Sequence, residues 1–79
     1  MSINKTNVDY MLYTIWQRYE YWSNEGIKWT KWFPLFNVKP TENKDELKEK
    51  LKIIKENNKY VSSKTGGLKF ENKIDEKLY

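Results

Sequence analysis

Residues 13–36 constrain the fold of this chain most, because aromatic and β-branched side chains are concentrated there on both sides of one turn signal. The segment holds all four tryptophans of the 79-residue chain. Tyr, Trp, Thr and Ile suit a pleated, half-buried surface, so both arms are predicted to be β-strands. The polar run between the arms ends in Gly26, which is typical of a hairpin turn. We therefore predict a long two-stranded hairpin that supplies most of the core.

The turn chemistry also predicts how the two arms pair. A three-residue loop, made of a type I turn and a left-handed glycine, would use Asn24, Glu25 and Gly26. The resulting pairs are Ser23–Ile27, Tyr21–Trp29, Tyr19–Lys31 and Gln17–Phe33. One face would then carry Tyr13, Ile15, Tyr19, Tyr21, Trp29 and Phe33. The other face would carry Trp16, Arg18, Glu20, Trp22, Lys28, Thr30 and Trp32. A shift of one residue would move the side chains of one arm to the opposite face.

A helical alternative exists for the first arm. Apolar residues recur there at helical spacing, namely Val8, Leu12, Ile15, Tyr19 and Trp22. Asn4 or Thr6 could cap such a helix. A run so rich in aromatic and β-branched residues is a poor helix former, which favours the strand. The sequence leaves residues 8–22 open between these two structures.

Residues 41–59 carry the pattern of an amphipathic helix. Asn43, with Glu46 three residues later, makes a start that resembles a capping box. The apolar stripe consists of Leu47, Leu51 and Ile54, with Ile53 beside it. The predicted end is at Asn57 and Asn58. So narrow a stripe must pack on a larger apolar surface, and we expect that surface to be the aromatic sheet.

The sequence pattern after residue 61 predicts a loop at residues 62–67, followed by a third strand. Leu68, Phe70, Ile74 and Leu78 share one side of this strand, interrupted by Asn72 and Glu76. The other side carries Lys69, Glu71, Lys73, Asp75 and Lys77, as suits an exposed edge. A right-handed crossover places the third strand beside the first. The predicted fold is a small single α+β domain over residues 1–79, a β-hairpin–helix–strand (ββαβ), with antiparallel sheet order 2-1-3 and one helix packed on one face.

The composition argues against an enzyme and against a cofactor. The chain has no Cys and no His, which removes the usual ligands of zinc, haem and iron–sulfur clusters and most nucleophile–base pairs. The sequence around Gly66 and Gly67 has the order of a turn and not that of a P-loop. We therefore expect no catalytic residues, no metal and no cofactor.

The chain is expected to be a cytoplasmic protein without membrane contact. No apolar run approaches 18 residues, and residues 1–10 lack the apolar core of a signal peptide. The absence of Cys gives no sign of an oxidising compartment. Residues 1–9 are polar and are expected to fray or to precede the first strand.

Two surfaces could bind a partner. The first consists of Trp16, Arg18, Trp22, Lys28 and Trp32 on one hairpin face. Tryptophan with interleaved cations can stack nucleic-acid bases or form a protein–protein hot spot, and the cations can also simply cover the indole rings. The second is a lysine stripe on the helix, Lys44, Lys48, Lys52, Lys55 and Lys59. With a net charge of +4, this stripe could follow a phosphate backbone or be an ordinary solvated face.

Two segments carry a resemblance to a group of known proteins: residues 26–33 (GIKWTKWF) and residues 63–69 (SKTGGLK). They resemble segments of short uncharacterised proteins encoded by bacteriophages, in which a G-x-x-W-T-x-W-F hairpin precedes a Lys/Glu-rich helix and a closing strand. The resemblance covers about residues 13–75, and the doubled Gly66-Gly67 departs from it. It implies a phage accessory protein. Small phage proteins of this kind often bind and block host proteins, including defence nucleases such as CRISPR effectors.

Three functions follow as hypotheses. The first is a phage-type, anti-CRISPR-like inhibitor that binds a bacterial host defence complex, either a host protein or a ribonucleoprotein, by protein–protein contact. The second is a nucleic-acid-binding module that uses Trp stacking and the lysine stripe, with an affinity that falls steeply as salt rises. The third is a homodimer that buries the tryptophan faces against each other, and the sequence leaves the choice between monomer and homodimer open.

Overall fold

The computed structural model describes residues 11–77. Its elements in chain order are β1 (Leu12–Ser23), β2 (Gly26–Trp29), β3 (Phe33–Pro34), α1 (Lys44–Thr65) and β4 (Phe70–Lys77). The predictions for residues 1–9, for Val8 and for Leu78 lie outside the described residues. Within them the first arm is a strand, so the helical alternative for residues 12–22 is wrong.

Strand β1 is the centre of the sheet and pairs along both of its edges. On one edge, the carbonyl oxygen of Tyr19 accepts the N–H of Thr30 at 2.9 Å, and that of Ile15 accepts the N–H of Leu35 at 3.0 Å. The second arm of the hairpin therefore follows this edge, through β2 and β3. On the other edge β4 pairs antiparallel with Leu12–Tyr19 of β1. The second arm, the first arm and the last strand thus lie in the predicted antiparallel order 2-1-3, and the α+β fold is confirmed.

The buried core lies between β1 and α1. Ile15 of β1 and Leu47 of α1 are fully buried, and Val38 from the connecting loop joins them. The partly buried residues around this cluster are Tyr13, Leu35, Leu51, Ile54 and Ile74. The helix therefore covers the face of the sheet that carries Ile15. The opposite face of β1 carries Trp16 and Arg18.

Helix α1 begins as predicted and ends later than predicted. Asn43 is the N-cap, and its side-chain oxygen accepts the N–H of Asp45 at 2.9 Å. The helix continues through Asn57 and Asn58 because neither takes a left-handed conformation, and it ends at Gly66, whose φ is 89°. The predicted end at residues 57–58 and the predicted loop over residues 62–65 are therefore wrong.

Substituting Asn43→Ala is expected to lower the free energy of unfolding by about 1 kcal/mol, because the N–H of Asp45 loses its acceptor. The loss should appear in urea denaturation as a lower midpoint with an unchanged slope. Asn57→Ala is the matched control, since Asn57 is exposed inside the helix and alanine is the better helix former there. Equal destabilisation in both variants would contradict the capping role of Asn43.

Candidate functional site

The register of the hairpin decides which side chains share a face, and near the turn it differs from the predicted register. Ser23 pairs with Gly26 and Glu20 pairs with Trp29, so two residues rather than three form the loop. The predicted pairs Ser23–Ile27 and Tyr21–Trp29 are therefore wrong by one residue. The physical reason is the side chain of Ser23, whose hydroxyl accepts the N–H of Glu25 at 3.1 Å and donates to the carbonyl of Gly26 at 2.9 Å. These two bonds close the shorter turn.

One extra residue further along the second arm restores the predicted register. Trp29 lies opposite Glu20, whereas Phe33 lies opposite Gln17, so the second arm advances four residues (29 to 33) while β1 advances three (20 to 17). Such an insertion is a β-bulge. The predicted pair Gln17–Phe33 is confirmed. The predicted pair Tyr19–Lys31 is wrong, because the backbone of Tyr19 bonds to Thr30.

This register brings all four tryptophans to one side of the sheet. Side chains of paired antiparallel residues share a face, so Trp29 joins the side of Glu20, Arg18 and Trp22. Arg18 also contacts Trp32, which places that indole on the same side. We call this surface the tryptophan face, and it consists of Trp16, Arg18, Trp22, Trp29 and Trp32. The prediction that Trp29 lies on the opposite face is wrong.

Lys28 does not belong to the tryptophan face. It pairs with Tyr21, whose side chain lies on the opposite side of β1 from Trp22. Its ammonium group forms an ion pair with Glu25 in the turn. The structure therefore brings together four of the five predicted partner-binding residues. It separates Lys28 from them because the observed register pairs Lys28 with Tyr21.

Arg18 is the central contact of the tryptophan face. Its Cζ lies 4.7 Å from the ring centroid of Trp29 and 4.9 Å from that of Trp32. Its Nη2 lies 2.6 Å from Oε1 of Glu71, on the neighbouring strand. Lys73 of β4 places its Nζ 4.5 Å from the ring of Trp32. Cations thus cover the rings of Trp29 and Trp32, as one of the alternative interpretations of the sequence expected.

The tip of the hairpin projects beyond the last strand. Strand β4 pairs with β1 only as far as Tyr19, whereas β2 pairs with residues 20–23. Trp22 is 73% exposed, and Ile27, directly opposite it on the same face, is 52% exposed. We call residues 20–29 the hairpin arm. The arm presents an indole and an aliphatic side chain together to solvent.

No family model, curated protein or solved structure matches this chain. The resemblance to phage accessory proteins therefore stays a prediction.

Three of the five lysines in the predicted stripe have partners in the structure. Lys48 and Lys52 lie 3.6 Å from carboxylate oxygens of Asp45 and Glu49, and Lys44 lies 4.4 Å from the ring centroid of Tyr13. The remaining two lysines of the stripe instead border a groove of about 680 Å³, which is lined by residues of α1, of β4 and of the tryptophan face. The cations along this groove are Lys55, Lys59, Lys69 and Lys73, and its aromatic walls include Trp29 and Trp32.

One carboxyl group near this groove has a displaced pKa. The pKa of Asp75 lies below its ordinary value of 3.8. The largest cause is that its carboxylate accepts the N–H of Glu76 at 2.8 Å. Lys73, whose Nζ lies 3.4 Å from Asp75, lowers this pKa further. A lowered folded-state pKa means that the contribution of Asp75 to stability is present at neutral pH and is lost as the pH falls through that pKa. Asp75 therefore acts as an anionic partner of Lys73 at neutral pH.

Among residues 11–77, no group of three or more His, Cys, Asp or Glu side chains is arranged to hold a metal ion. No helix within the same residues is long and apolar enough to cross a membrane.

Proposed function

We propose that this protein binds a protein partner through its hairpin arm and thereby blocks that partner. The observation that carries the proposal is the exposure of Trp22 beside Ile27 on a strand pair that extends past β4. Tryptophan is among the residues most enriched at binding hot spots, where a central anchor fills a pocket on the partner. A projecting two-stranded arm can carry such an anchor into a cleft.

The size of the anchor supports a specific contact. A tryptophan buries about 150 Å² or more when it is fully covered, which corresponds to roughly 4 kcal/mol of gross hydrophobic free energy at about 25 cal/mol per Å². Ile27 adds to the same patch. The costs of association reduce this value, so the indole must be joined by surrounding contacts. Tyr21, exposed on the other side of the arm, is placed to supply one of them.

The partner is proposed to be a bacterial defence complex, either a host protein or a ribonucleoprotein such as a CRISPR effector, met in the host cytoplasm. The resemblance of residues 26–33 and 63–69 to phage accessory proteins supports this target class. Residues 26–29, which are half of the first segment, form β2 and so belong to the arm. Binding, and not catalysis, is the proposed mode of action.

Capture from a bacterial lysate tests the proposal. We expect the tagged protein to retain a stoichiometric protein partner after nuclease treatment, and Trp22→Ala to lose it. Tyr60→Ala is the matched control, because Tyr60 is an exposed aromatic residue that belongs to α1 and not to the arm. Circular dichroism of each variant checks that the fold is retained.

Two outcomes would contradict the proposal. A partner that Trp22→Ala captures as well as the wild type would exclude the arm as the contact. A partner that nuclease releases would show that nucleic acid, and not protein contact, holds the complex. The inhibitory step is tested separately, by measuring the activity of the captured partner with and without equimolar protein.

A further inference from the structure

The groove between α1 and β4 carries positive charge that carboxylates do not neutralise. Within residues 11–77, Lys55, Lys59 and Lys69 form no ion pair, whereas Lys73 lies 3.4 Å from Asp75. The acid that lines the groove is Glu71, whose charge is taken up by Arg18. The groove is therefore a cationic surface that is open to an anionic partner.

The four lysines of the groove are distributed over α1 and the β4 region. Lys55 and Lys59 are one helical turn apart, about 6 Å along the axis of α1. Lys69 and Lys73 are four residues apart at β4, about 13 Å along the strand direction, with side chains on the same side. Charges spaced in this way on two walls suit an extended polyanion better than a single small anion.

The groove also presents flat aromatic surface. Trp29 and Trp32 both line it and are part-buried, and Arg18 lies over both rings while Lys73 also lies over Trp32. A base can therefore stack on the indole surface that these two cations leave exposed. Indole rings next to lysines are the combination that holds single-stranded nucleic acid, because bases stack on the rings while phosphates contact the cations.

Hydrogen bonds between side chains hold the floor of the groove together. Asn58 of α1 donates to Oδ1 of Asn72 at 2.6 Å. Asn72 in turn donates to Oε1 of Gln17 at 3.1 Å and to the carbonyl of Trp16 at 3.3 Å. This chain of bonds ties α1 to β4 and β1 and fixes the distance between the two walls. The groove is therefore preformed in the fold.

We propose that this groove binds a single strand of nucleic acid, with Lys55, Lys59 and Lys69 contacting phosphates and Trp29 and Trp32 stacking on bases. A single strand is favoured over a duplex because paired bases do not expose the faces that indoles stack on. It is favoured over an acidic peptide because lysine is a point charge suited to phosphate, while planar bidentate binding of carboxylates favours arginine. The one arginine, Arg18, is already bonded to Glu71. The site shares Trp29 with the hairpin arm but does not include Trp22, the anchor of the proposed protein contact.

Fluorescence anisotropy of a fluorescein-labelled 20-nucleotide oligo(dT) tests the site. Three to four phosphate contacts predict a slope of log K against log salt of about −2 to −3, since each contact contributes about −0.7 for single strands. The affinity should therefore fall roughly 20- to 50-fold between 50 and 200 mM NaCl. The triple variant K55Q/K59Q/K69Q should lose most of the binding and most of the salt dependence. K48Q/K50Q/K52Q removes the same charge from the helix outside the groove and should bind nearly as the wild type.

Intrinsic fluorescence tests the stacking separately from the charge. Oligo(dT) should quench the tryptophan emission of the wild type and of Trp22→Phe, because Trp22 does not line the groove. The double variant W29F/W32F should lose most of the quenching and bind at least about fivefold more weakly.

Four results would overturn the inference. The first is that oligo(dT) does not bind at 50 mM NaCl, and the second is that both triple lysine variants lose the same amount of affinity for oligo(dT). The third is that the matching oligo(dA)·oligo(dT) duplex binds as tightly as the single strand. The fourth is that polyglutamate displaces labelled oligo(dT) as well as unlabelled oligo(dT) does at the same charge concentration. The last of these would assign the groove to an acidic peptide.

Discussion

Replacing Leu47 with alanine is expected to lower the free energy of unfolding by about 3 kcal/mol. Leu47 is fully buried, and among the described residues only Ile15 and Val38 share the buried apolar core with it. Replacing the isobutyl group by a methyl group leaves a cavity where α1, β1 and the connecting loop meet. A domain of this size has a total stability of about 4–12 kcal/mol, so the loss is a large part of the whole.

Urea denaturation followed by circular dichroism measures this loss, and the midpoint should fall while the slope is retained. Ile53→Ala is the matched control on the same helix, because the side chain of Ile53 is 70% exposed. It should change the free energy of unfolding by less than about 0.5 kcal/mol. If the two variants unfold at the same urea concentration, α1 does not pack on the sheet through Leu47.

The fold was predictable because its signals are local and agree with one another. The cap at Asn43 and the stripe through Leu47 specify where α1 begins and which side it buries. The chirality of the crossover then places the last strand beside β1. The end of α1 was missed because Asn57 and Asn58 are only weak stop signals. Gly66, which adopts φ of 89°, satisfies the helix end at lower conformational cost.

Which side chains share a face of the hairpin was less predictable, because this depends on where one extra residue lies in the second arm. The sequence supports an insertion at Gly26, inside the turn, or at residues 30–32. The structure has it at residues 30–32, where the hydroxyl of Thr30 accepts the N–H of Tyr19 at 3.1 Å and maintains the pairing. The difference in free energy between these two positions of the inserted residue depends on a few side-chain hydrogen bonds of about 1 kcal/mol each. The position of the inserted residue nevertheless exchanges the faces of Lys28 and Trp29.

The cationic groove was missed because it is formed by residues distant in sequence. The alternation in the last strand correctly put Lys69, Glu71 and Lys73 on one side. What the sequence did not reveal is that this side meets Trp29 and Trp32, because that neighbourhood depends on the pairing of both β2 and β4 with β1. The spacing of Lys55 and Lys59 indicates only that these two residues share one side of α1, and it says nothing of β4 or the tryptophans.

Replacing Arg18 with alanine is expected to lower the free energy of unfolding by about 2 kcal/mol. Two cation–π contacts contribute about 0.5–1 kcal/mol each. The ion pair with Glu71 is partly exposed, so screening by solvent leaves it about 0.5 kcal/mol. Truncating the side chain to alanine also removes the packing of its aliphatic stem. Arg18→Lys should recover about half of the loss, because an ammonium group cannot contact both rings and the carboxylate at once.

Urea denaturation compares these variants with Lys28→Ala, the matched control, which removes an exposed cation whose ion pair with Glu25 lies in the turn. Lys28→Ala should cost less than about 0.5 kcal/mol. In 0.5 M NaCl the share of the Arg18→Ala loss that comes from the ion pair with Glu71 should become smaller. Most of the loss in the free energy of unfolding should persist, because ring contacts and stem packing are less sensitive to salt. A double-mutant cycle with Trp32→Leu should give a coupling energy of about 0.5–1 kcal/mol with Arg18. A coupling energy of zero would mean that Arg18 does not hold the tryptophan face together, and the groove walls at Trp29 and Trp32 would then need another support.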